Sequence, residues 1–232
     1  MGILYIVATP IGNLKDLTWR ALEVLKEVDL VACEDTRQTI KLLNHYEIKK
    51  PLVSYFQHSQ LSRVEQIMGE LRAGKKVALV TDAGTPGISD PGGKLVEEAI
   101  KSLSGQVKIV PIPGPNAAIA ALSVSGFPAD KFVFLGFPPH KKGRNKFFEE
   151  VVAAKYTVVF YESTHRILRC LNDLKLAFIR AQISEDSRTL VVCRELTKVF
   201  EGIYRGTAEE ILKILESDKN NIKGEFVVVV SR

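Results

Sequence analysis

The stretch Thr81-Asp-Ala-Gly-Thr-Pro-Gly-Ile-Ser-Asp-Pro-Gly-Gly93 separates an apolar run from a helical pattern, and it decides the fold class. Residues 77–80 before it read Val-Ala-Leu-Val, which is typical of a buried strand. Apolar residues follow it at positions 95, 96, 99 and 100, with the spacing of one helix face. In open α/β sheets, ligands bind at the loops that follow the carboxyl ends of parallel strands, so this loop is the first candidate site.

The composition of the loop also favours a ligand site. Its four glycines and two prolines allow the backbone to approach a ligand closely. Asp90 is a natural N-cap and Pro91 suits the first position of the helix, so we expect the end of the loop to be rigid. The stretch contains neither the G-x-G-x-x-G dinucleotide fingerprint nor the G-K-[ST] of a P-loop. An ordinary tight connection is the alternative, against which the loop's length and the carboxylates of Asp82 and Asp90 weigh.

Composition and length restrict the class of protein. The 232 residues suit one large or two small domains, and 46% are hydrophobic and 25% charged, as in soluble globular proteins. The net charge of +5 is compatible with a polyanionic partner without requiring one. The three cysteines are too few and too scattered for a disulfide framework or a zinc site, and Cys33 and Cys193 are expected to be buried. Residues 1–8 lack the features of a signal peptide or membrane span, which predicts a cytoplasmic protein with no membrane segment.

Hydrophobic periodicity predicts an α/β fold with two domains. In the first half, helical patterns alternate with apolar strands, which indicates a mostly parallel sheet. These strands are predicted at residues 3–8, 29–33, 52–56, 77–81 and 107–112. In the second half, strands are predicted at residues 132–137, 157–161, 190–193 and 226–230, and residues 199–206 are expected to pair antiparallel. The second sheet is therefore expected to be mixed, with an N-terminal domain over 1–115 and a C-terminal domain over 116–232.

Further polar motifs follow other strands of the first half. Residues 8–13 end the first strand, Glu34-Asp35-Thr36-Arg37 end the second, and residues 111–118 follow the last. In a parallel sheet these segments and residues 81–93, called the glycine loop below, meet at one edge, which favours a common site. The alternative is structural, with Asp35 as a helix cap and Arg37 as a surface partner of Glu34.

Two segments of the second half carry charges suited to a phosphate or a hydroxyl. Residues 161–166 end a strand with Glu162, His165 and Arg166, which can polarise a hydroxyl or hold a phosphate. Residues 138–146 form a basic tract, suited to phosphate contacts. Its cationic side chains are Lys141, Lys142, Arg144 and Lys146. The alternatives are a capped helix and a solvated charge run. No metal site is predicted, because His58 and His140 lack metal-ligand spacing with any other candidate.

Taken together, these motifs resemble the ribosomal RNA small subunit methyltransferase I family, a branch of the tetrapyrrole-methylase-like (class III) methyltransferases. The matching segments are residues 4–14, 34–37, 82–92, 113–117, 161–162 with 165–166, and 194–198. They span nearly the whole chain in the family's order. Family members often continue into a short helical tail beyond the last strand, whereas this sequence ends at Arg232, so an rRNA-contacting extension is expected to be missing.

The resemblance implies S-adenosylmethionine as methyl donor and a cytidine ribose 2′-hydroxyl of 16S rRNA, at the decoding centre of the small ribosomal subunit, as acceptor. It also implies a homodimer of two-domain α/β subunits with the cofactor in the cleft between the domains. The cofactor contacts carried over from the superfamily are Pro10, Ala83, Gly84, Thr85, Ile88, Ser89, Ala117, Ala118, Tyr161, Gly224 and Glu225.

Catalytic and substrate roles are hypotheses at this stage. A ribose hydroxyl is a poor nucleophile at neutral pH, and Asp35 or Glu162 is expected to accept its proton. The residues expected to contact RNA are Arg37, Lys141, Lys142, Arg144, Lys146, His165, Arg166 and Lys198. Two other functions stay open: a methyltransferase that acts on a tetrapyrrole, and a non-catalytic RNA-binding protein of the same fold. Cofactor binding separates the last from either enzyme.

Overall fold

The computed structural model describes residues 1–55, 61–90, 92–184 and 187–232. The chain divides into two compact units, Met1–Asn116 and Ala117–Arg232, one residue from the predicted division. The expectations for Pro91 and His58, and for the end of the third strand at Phe56, lie outside the described residues. Among the helices of the described residues, none is long and apolar enough to cross a membrane.

The first unit contains a five-stranded sheet with the order β3-β2-β4-β1-β5, in which every pairing is parallel. The strands are β1 (Gly2–Val7), β2 (Leu30–Cys33), β3 (Leu52–Ser54), β4 (Lys76–Leu79) and β5 (Val107–Ile112). The helices are α1 (Trp19–Glu27), α2 (Thr36–His45), α3 (Leu61–Arg72) and α4 (Gly92–Ser102). The parallel sheet predicted from the apolar strands is confirmed.

Helices cover both faces of this sheet. Residues of α1 and α2 pack on one face with Val31 and Ala78. Residues of α3 and α4 pack on the other face with Ala32 and Leu79. Neighbouring strand residues thus enter opposite cores, because side chains alternate along a strand. This burial on both faces explains why the strands read as continuous apolar runs.

The second unit contains a mixed sheet with the order β6-β7-β10-β8-β9. Its strands are β6 (Phe132–Phe134), β7 (Thr157–Ser163), β8 (Leu190–Arg194), β9 (Gly202–Gly206) and β10 (Glu225–Val230). Only β6 and β7 pair in parallel among these strands, which confirms the mixed sheet. The helices are α5 (Ala117–Ser125), α6 (Arg144–Ala153), α7 (Ile167–Arg180) and α8 (Ala208–Glu216). Helix α5 covers one face, and α6, α7 and α8 cover the other.

Local signals act as expected at several element ends. Thr18 caps α1 by accepting a hydrogen bond from the Ala21 amide, and Thr207 forms a complete capping box at α8. The antiparallel pairing predicted for residues 199–206 is confirmed, but β9 begins only at Gly202. Glu195 and Thr197 have φ values of +49° and +69°, so the chain turns before it can pair. All three cysteines are buried, as expected of Cys33 and Cys193.

Candidate active site

The parallel sheet brings the predicted motifs of the first unit to one edge. The loop after β1 pairs directly with the glycine loop, because the Thr9 and Gly84 backbones exchange two N–H···O bonds of 2.9 and 3.0 Å. The Thr9 hydroxyl donates to the Thr81 carbonyl at 3.0 Å. The Thr85 hydroxyl donates to the Pro115 carbonyl, after β5, at 3.2 Å. Segments from three strand ends are therefore joined by hydrogen bonds.

The glycine loop itself has an unusual backbone. Gly84 and Gly87 both have φ of +85°, and Ser89 has φ of +61°, which L-residues rarely adopt. One carboxylate oxygen of Asp90 accepts from the amides of Gly87 at 2.6 Å and Gly92 at 3.0 Å, so it closes the loop onto the start of α4.

Exposure divides the predicted cofactor contacts of this edge into two groups. Ala83, Ile88 and Ser89 are exposed, whereas Pro10 and Gly84 are buried and Thr85 is half-buried. The loop thus offers both side chains and backbone at the edge where α/β sheets bind ligands.

Four carboxylates, of Glu34, Asp35, Asp82 and Asp90, gather at the same edge. Glu34 is half-buried, and burial raises its pKa although it accepts a 3.1 Å hydrogen bond from the Thr81 hydroxyl. Partial burial of its carboxylate in the loop also raises the pKa of Asp82, although the residue as a whole keeps contact with solvent. Asp82 accepts from the Asp35 amide at 3.1 Å. The charges of Asp82 and Asp90 add to the rise in the pKa of Glu34, because nearby negative charges disfavour its ionised form.

Asp35 differs from Glu34 and Asp82 in the direction of its pKa shift. It is the N-cap of α2 and accepts from the Arg37 amide at 2.8 Å. The Arg37 guanidinium also binds it, with one nitrogen at 2.6 Å, and this hydrogen bonding lowers the pKa of Asp35 to about 2. Asp35 therefore has the capping role of the structural alternative, and Arg37 pairs with Asp35 rather than with Glu34.

In the second unit, Tyr161 and Ala118 come together. The Tyr161 hydroxyl accepts from the Ala118 amide, in the first turn of α5, at 3.3 Å. Phe134 and Phe137 pack against the Tyr161 ring, with centroids 5.1 and 5.3 Å away. This places Tyr161 on the α5 face of the sheet, beside Ala117.

Gly224 and Glu225 lie at the start of β10, against the turn that follows β8. Gly224 has φ of +100°, and a Cβ on it would overlap the Glu195 side chain, so the position favours glycine. The Lys198 ammonium lies 2.8 Å from both the Glu195 and Glu225 carboxylates. Burial by itself lowers the pKa of Lys198, but the hydrogen bonds to these two carboxylates raise it, and the net shift is upward. Lys198 therefore already has two carboxylate partners.

Glu162 is fully buried and lies on the other face of the sheet from Tyr161. Its side chain is 0% exposed and ion-paired to Arg166 at 2.9 Å and to Arg144 at 3.5 Å. Successive side chains of a strand point to opposite faces, so Glu162 points toward α6 and α7. A proton acceptor for a ribose must reach the substrate. The geometry of Glu162 conflicts with the predicted catalytic role.

The cationic side chains of the basic tract, residues 138–146, differ in their exposure to solvent. Lys141, Lys142 and Lys146 are exposed, as is His165 on the next loop. Arg144 is only 3% exposed, and it binds Asp173 with a 2.6 Å hydrogen bond. This burial disfavours the predicted RNA contact by Arg144, because its guanidinium is used inside the unit. Arg166 is half-buried and donates to the Pro138 carbonyl at 3.0 Å.

The sequence motifs predict no functional role for Glu34, Asp173 or Glu195. Glu34 is part of the Glu34-Asp35-Thr36-Arg37 motif, and its burial and the pairing of Asp35 with Arg37 distinguish the two carboxylates. Asp173 lies on α7 without any local motif, and its pairing with Arg144 is long-range. The described residues contain no group of three or more His, Cys, Asp or Glu side chains placed to hold a metal ion.

Comparison with known proteins identifies the family. The family model described as Tetrapyrrole (Corrin/Porphyrin) Methylases matches residues 3–212. Ribosomal RNA small subunit methyltransferase I of Halalkalibacterium halodurans is 47% identical over 230 residues, covering 99% of this chain and 75% of the relative. The protein of the same name from Thermotoga maritima is 44% identical, covering 100% of this chain and 99% of the relative.

Solved structures agree at the level of the fold. The methyltransferase CobJ matches with a TM-score of 0.70 at 18% identity, covering 100% of this chain and 95% of that one. Uroporphyrin-III-C-methyltransferase from Thermus thermophilus matches with a TM-score of 0.66 at 19% identity, covering 99% and 94%. The chain therefore belongs to the tetrapyrrole methylase family of methyltransferases and, within it, to the ribosomal RNA small subunit methyltransferase I family.

Proposed function

We propose that this protein transfers a methyl group from S-adenosylmethionine to a cytidine ribose 2′-hydroxyl of 16S rRNA, at the decoding centre. The observation that carries the proposal is the relationship over essentially the whole chain to proteins named ribosomal RNA small subunit methyltransferase I. The name of those relatives states their class of substrate, and the order of the motifs supports the same class for this chain. Methyl transfer from a sulfonium is an in-line displacement, so the protein must mainly align donor and acceptor.

The first unit fits the proposed donor. S-adenosylmethionine presents an adenosine and an amino-acid part, which need backbone amides and carbonyls at close range. The glycine loop meets this need, because Gly84 and Gly87 hold positive φ values of +85°, a backbone conformation that residues with a Cβ rarely adopt. The residues proposed to hold it here are Pro10, Ala83, Gly84, Thr85, Ile88 and Ser89.

A second set of proposed donor contacts comes from the other unit. The hydrogen bond from the Ala118 amide to the Tyr161 hydroxyl, and the tight backbone at Gly224, make these positions rigid. The residues in this set are Ala117, Ala118, Tyr161, Gly224 and Glu225.

For the proton of the ribose hydroxyl we propose Glu34, with Asp35 as the rival. A general base works best when its pKa is near the working pH. Burial raises the pKa of Glu34, whereas Arg37 holds that of Asp35 at about 2. Glu34 and Asp35 are consecutive at the end of β2, so both lie near the edge that carries the glycine loop.

The RNA backbone is proposed to contact Lys141, Lys142, Lys146 and His165, which are exposed. Arg37, with 85% of its side chain exposed, is proposed as a further phosphate contact.

A substrate within the small ribosomal subunit implies a cytoplasmic location, and we also propose a homodimer as in the resembled family. Light scattering on the purified protein measures the oligomeric state directly.

The experiment is transfer of labelled methyl from S-adenosylmethionine to unmodified 30S subunits, followed by mapping of the modified nucleotide. We expect label on the 2′-hydroxyl of one decoding-centre cytidine. Uroporphyrinogen III serves as a parallel acceptor, and label only there assigns the protein to tetrapyrrole chemistry. Cofactor binding with no transfer to either acceptor contradicts the proposal, and so does a failure to bind S-adenosylmethionine.

A further inference from the structure

We propose that Glu162 is a positioning residue, which uses two arginines, Arg144 and Arg166, to hold the basic loop in the shape that binds RNA phosphates. The basic loop is residues 138–143, between β6 and α6. This inference rests on the proposed function, because it deepens the RNA contact of that loop. It replaces the catalytic role that the sequence alone suggested for Glu162.

The first step of the inference is that both arginines reach the base of the loop. Arg166 donates to the Pro138 carbonyl at 3.0 Å, and Arg144 donates to the next carbonyl, of Pro139, at 3.2 Å. Proline has a fixed φ, so two consecutive carbonyls held in this way define the direction of the chain. The tip beyond them, with Lys141 and Lys142, is exposed.

The second step is that Glu162 makes this arrangement possible. Arg144 is 3% exposed and stands in the first turn of α6, where a positive charge is unfavourable. Buried charges must be paired, and one partner, Asp173, lies 2.6 Å from Arg144. Glu162 lies 3.5 Å from Arg144 and 2.9 Å from Arg166, so its single charge serves both guanidinium groups.

The third step is that Glu162 is itself fixed. It accepts a 2.8 Å hydrogen bond from the Ser163 amide, and Arg166 also donates to the Ser163 hydroxyl at 3.0 Å. Strand β7 pairs on both sides, with β6 and β10, so it provides a rigid base. The lysines of the loop are thus linked to the sheet through one carboxylate.

The test uses Glu162→Gln, which keeps the size of the side chain and removes its charge. The measurement is the affinity of the full-length protein for unmodified 30S subunits across a series of KCl concentrations. The variant is more positive than the wild type, so general electrostatics predicts tighter binding. The proposal predicts the opposite: weaker binding at low salt, and a salt slope reduced by about 1.5, corresponding to two lost phosphate contacts.

Two further variants make the result specific. Lys141→Ala with Lys142→Ala removes the proposed contacts directly and is expected to reduce the slope by about the same amount. Arg166→Lys keeps the charge but loses the fork geometry that reaches Ser163 and Pro138, and it is also expected to reduce the slope. It serves as the second test if Glu162→Gln does not fold. The matched control is Glu209→Gln, a carboxylate that also binds two lysines, Lys175 and Lys213, and is expected to keep the wild-type slope.

The outcomes separate this inference from the function on which it rests. A lysine double variant with a reduced slope, beside Glu162→Gln and Arg166→Lys with wild-type slopes, overturns the positioning role. An unchanged salt slope in the lysine variant shows that the loop does not bind RNA, which also overturns the positioning role of Glu162. If that variant still methylates 30S subunits, the proposed function stays intact. Faster trypsin cleavage after Lys141 or Lys142 in Glu162→Gln supports the inference independently.

Discussion

The two sheets end in edges that look alike in sequence and differ in what their charges do. At the edge of the first unit, Glu34 and Asp82 keep raised pKa values, and only Asp35 has a strong cationic partner. At the edge of the second unit, the carboxylates of Glu162 and Glu195 are bound to arginine and lysine. The first edge keeps its carboxylates available, whereas the second uses them to build its loops.

The difference follows from the two topologies. A parallel sheet collects loops that each lead into a helix, and helix starts tolerate or favour carboxylates. The mixed sheet of the second unit joins strands of both directions, and its turn at residues 195–201 connects the antiparallel strands β8 and β9 without a helix. Ion pairs therefore supply order there that hydrogen-bonded helices supply in the first unit. We expect chemistry at the first edge and substrate positioning at the second.

The strongest way to break this comparison is to remove the proposed base. We expect Glu34→Gln to reduce kcat for methyl transfer by about 10²–10⁴-fold, with Asp35→Asn well below that effect. Glu23→Gln, on the exposed side of α1, is the control. A base works only when deprotonated, so activity falls as the pH falls through its pKa. If Glu34 is the base, the acid limb of the pH profile of kcat/KM is expected to have its midpoint above pH 4.5. A midpoint near pH 2 assigns the role to Asp35.

The next largest effect concerns the stability of the second unit. Glu162→Ala leaves two guanidinium groups without their shared carboxylate, and we expect the free energy of unfolding to fall by about 3–5 kcal/mol. Urea unfolding followed by circular dichroism measures this change. Glu209→Ala removes a carboxylate from exposed pairs and is expected to cost much less stability, because surface ion pairs are screened by solvent. Equal losses in the two variants contradict the distinction between buried and surface pairs.

A smaller effect sharpens the role of the glycine loop. Gly84→Ala forces an L-residue to φ of +85°, which costs about 1–2 kcal/mol, and we expect it to weaken S-adenosylmethionine binding as well. Isothermal titration and thermal unfolding give the two quantities. Gly93→Ala is the matched control, because a Cβ there meets nothing within 4 Å and α4 gains a better helix former. Full cofactor affinity in Gly84→Ala removes this backbone from the proposed donor site.

The smallest effect is electrostatic. Arg37→Ala is expected to raise the pKa of Asp35 from about 2 toward its ordinary value of 3.8, because the guanidinium is the main cause of the shift. A lowered pKa stabilises the folded state above pH 3.8, and this contribution is lost as the pH falls toward 2. The variant should therefore lose less stability over that window. Carbon-13 NMR titration of the Asp35 carboxyl measures the shift, and an unchanged pKa shows that the N-cap position alone produces it.

Local sequence patterns were enough to predict which segments form the two sheets and which polar motifs follow the strands of the first one. Apolar runs, the caps of α1 and α8, and the glycines and prolines of residues 81–93 act over a few residues, so their effects can be read locally. The motif order along the chain also identified the family, since it depends only on which residues stand where.

Which of those polar groups remain available depends on the folded structure. Arg144 and Lys142 are two residues apart in one basic tract, yet one is buried against Asp173, from α7, and the other is exposed. Glu34 and Asp35 are neighbours with pKa values shifted in opposite directions. Burial and pairing depend on residues distant in sequence, and the cost of desolvating a charge is set by those neighbours rather than by the motif that contains it.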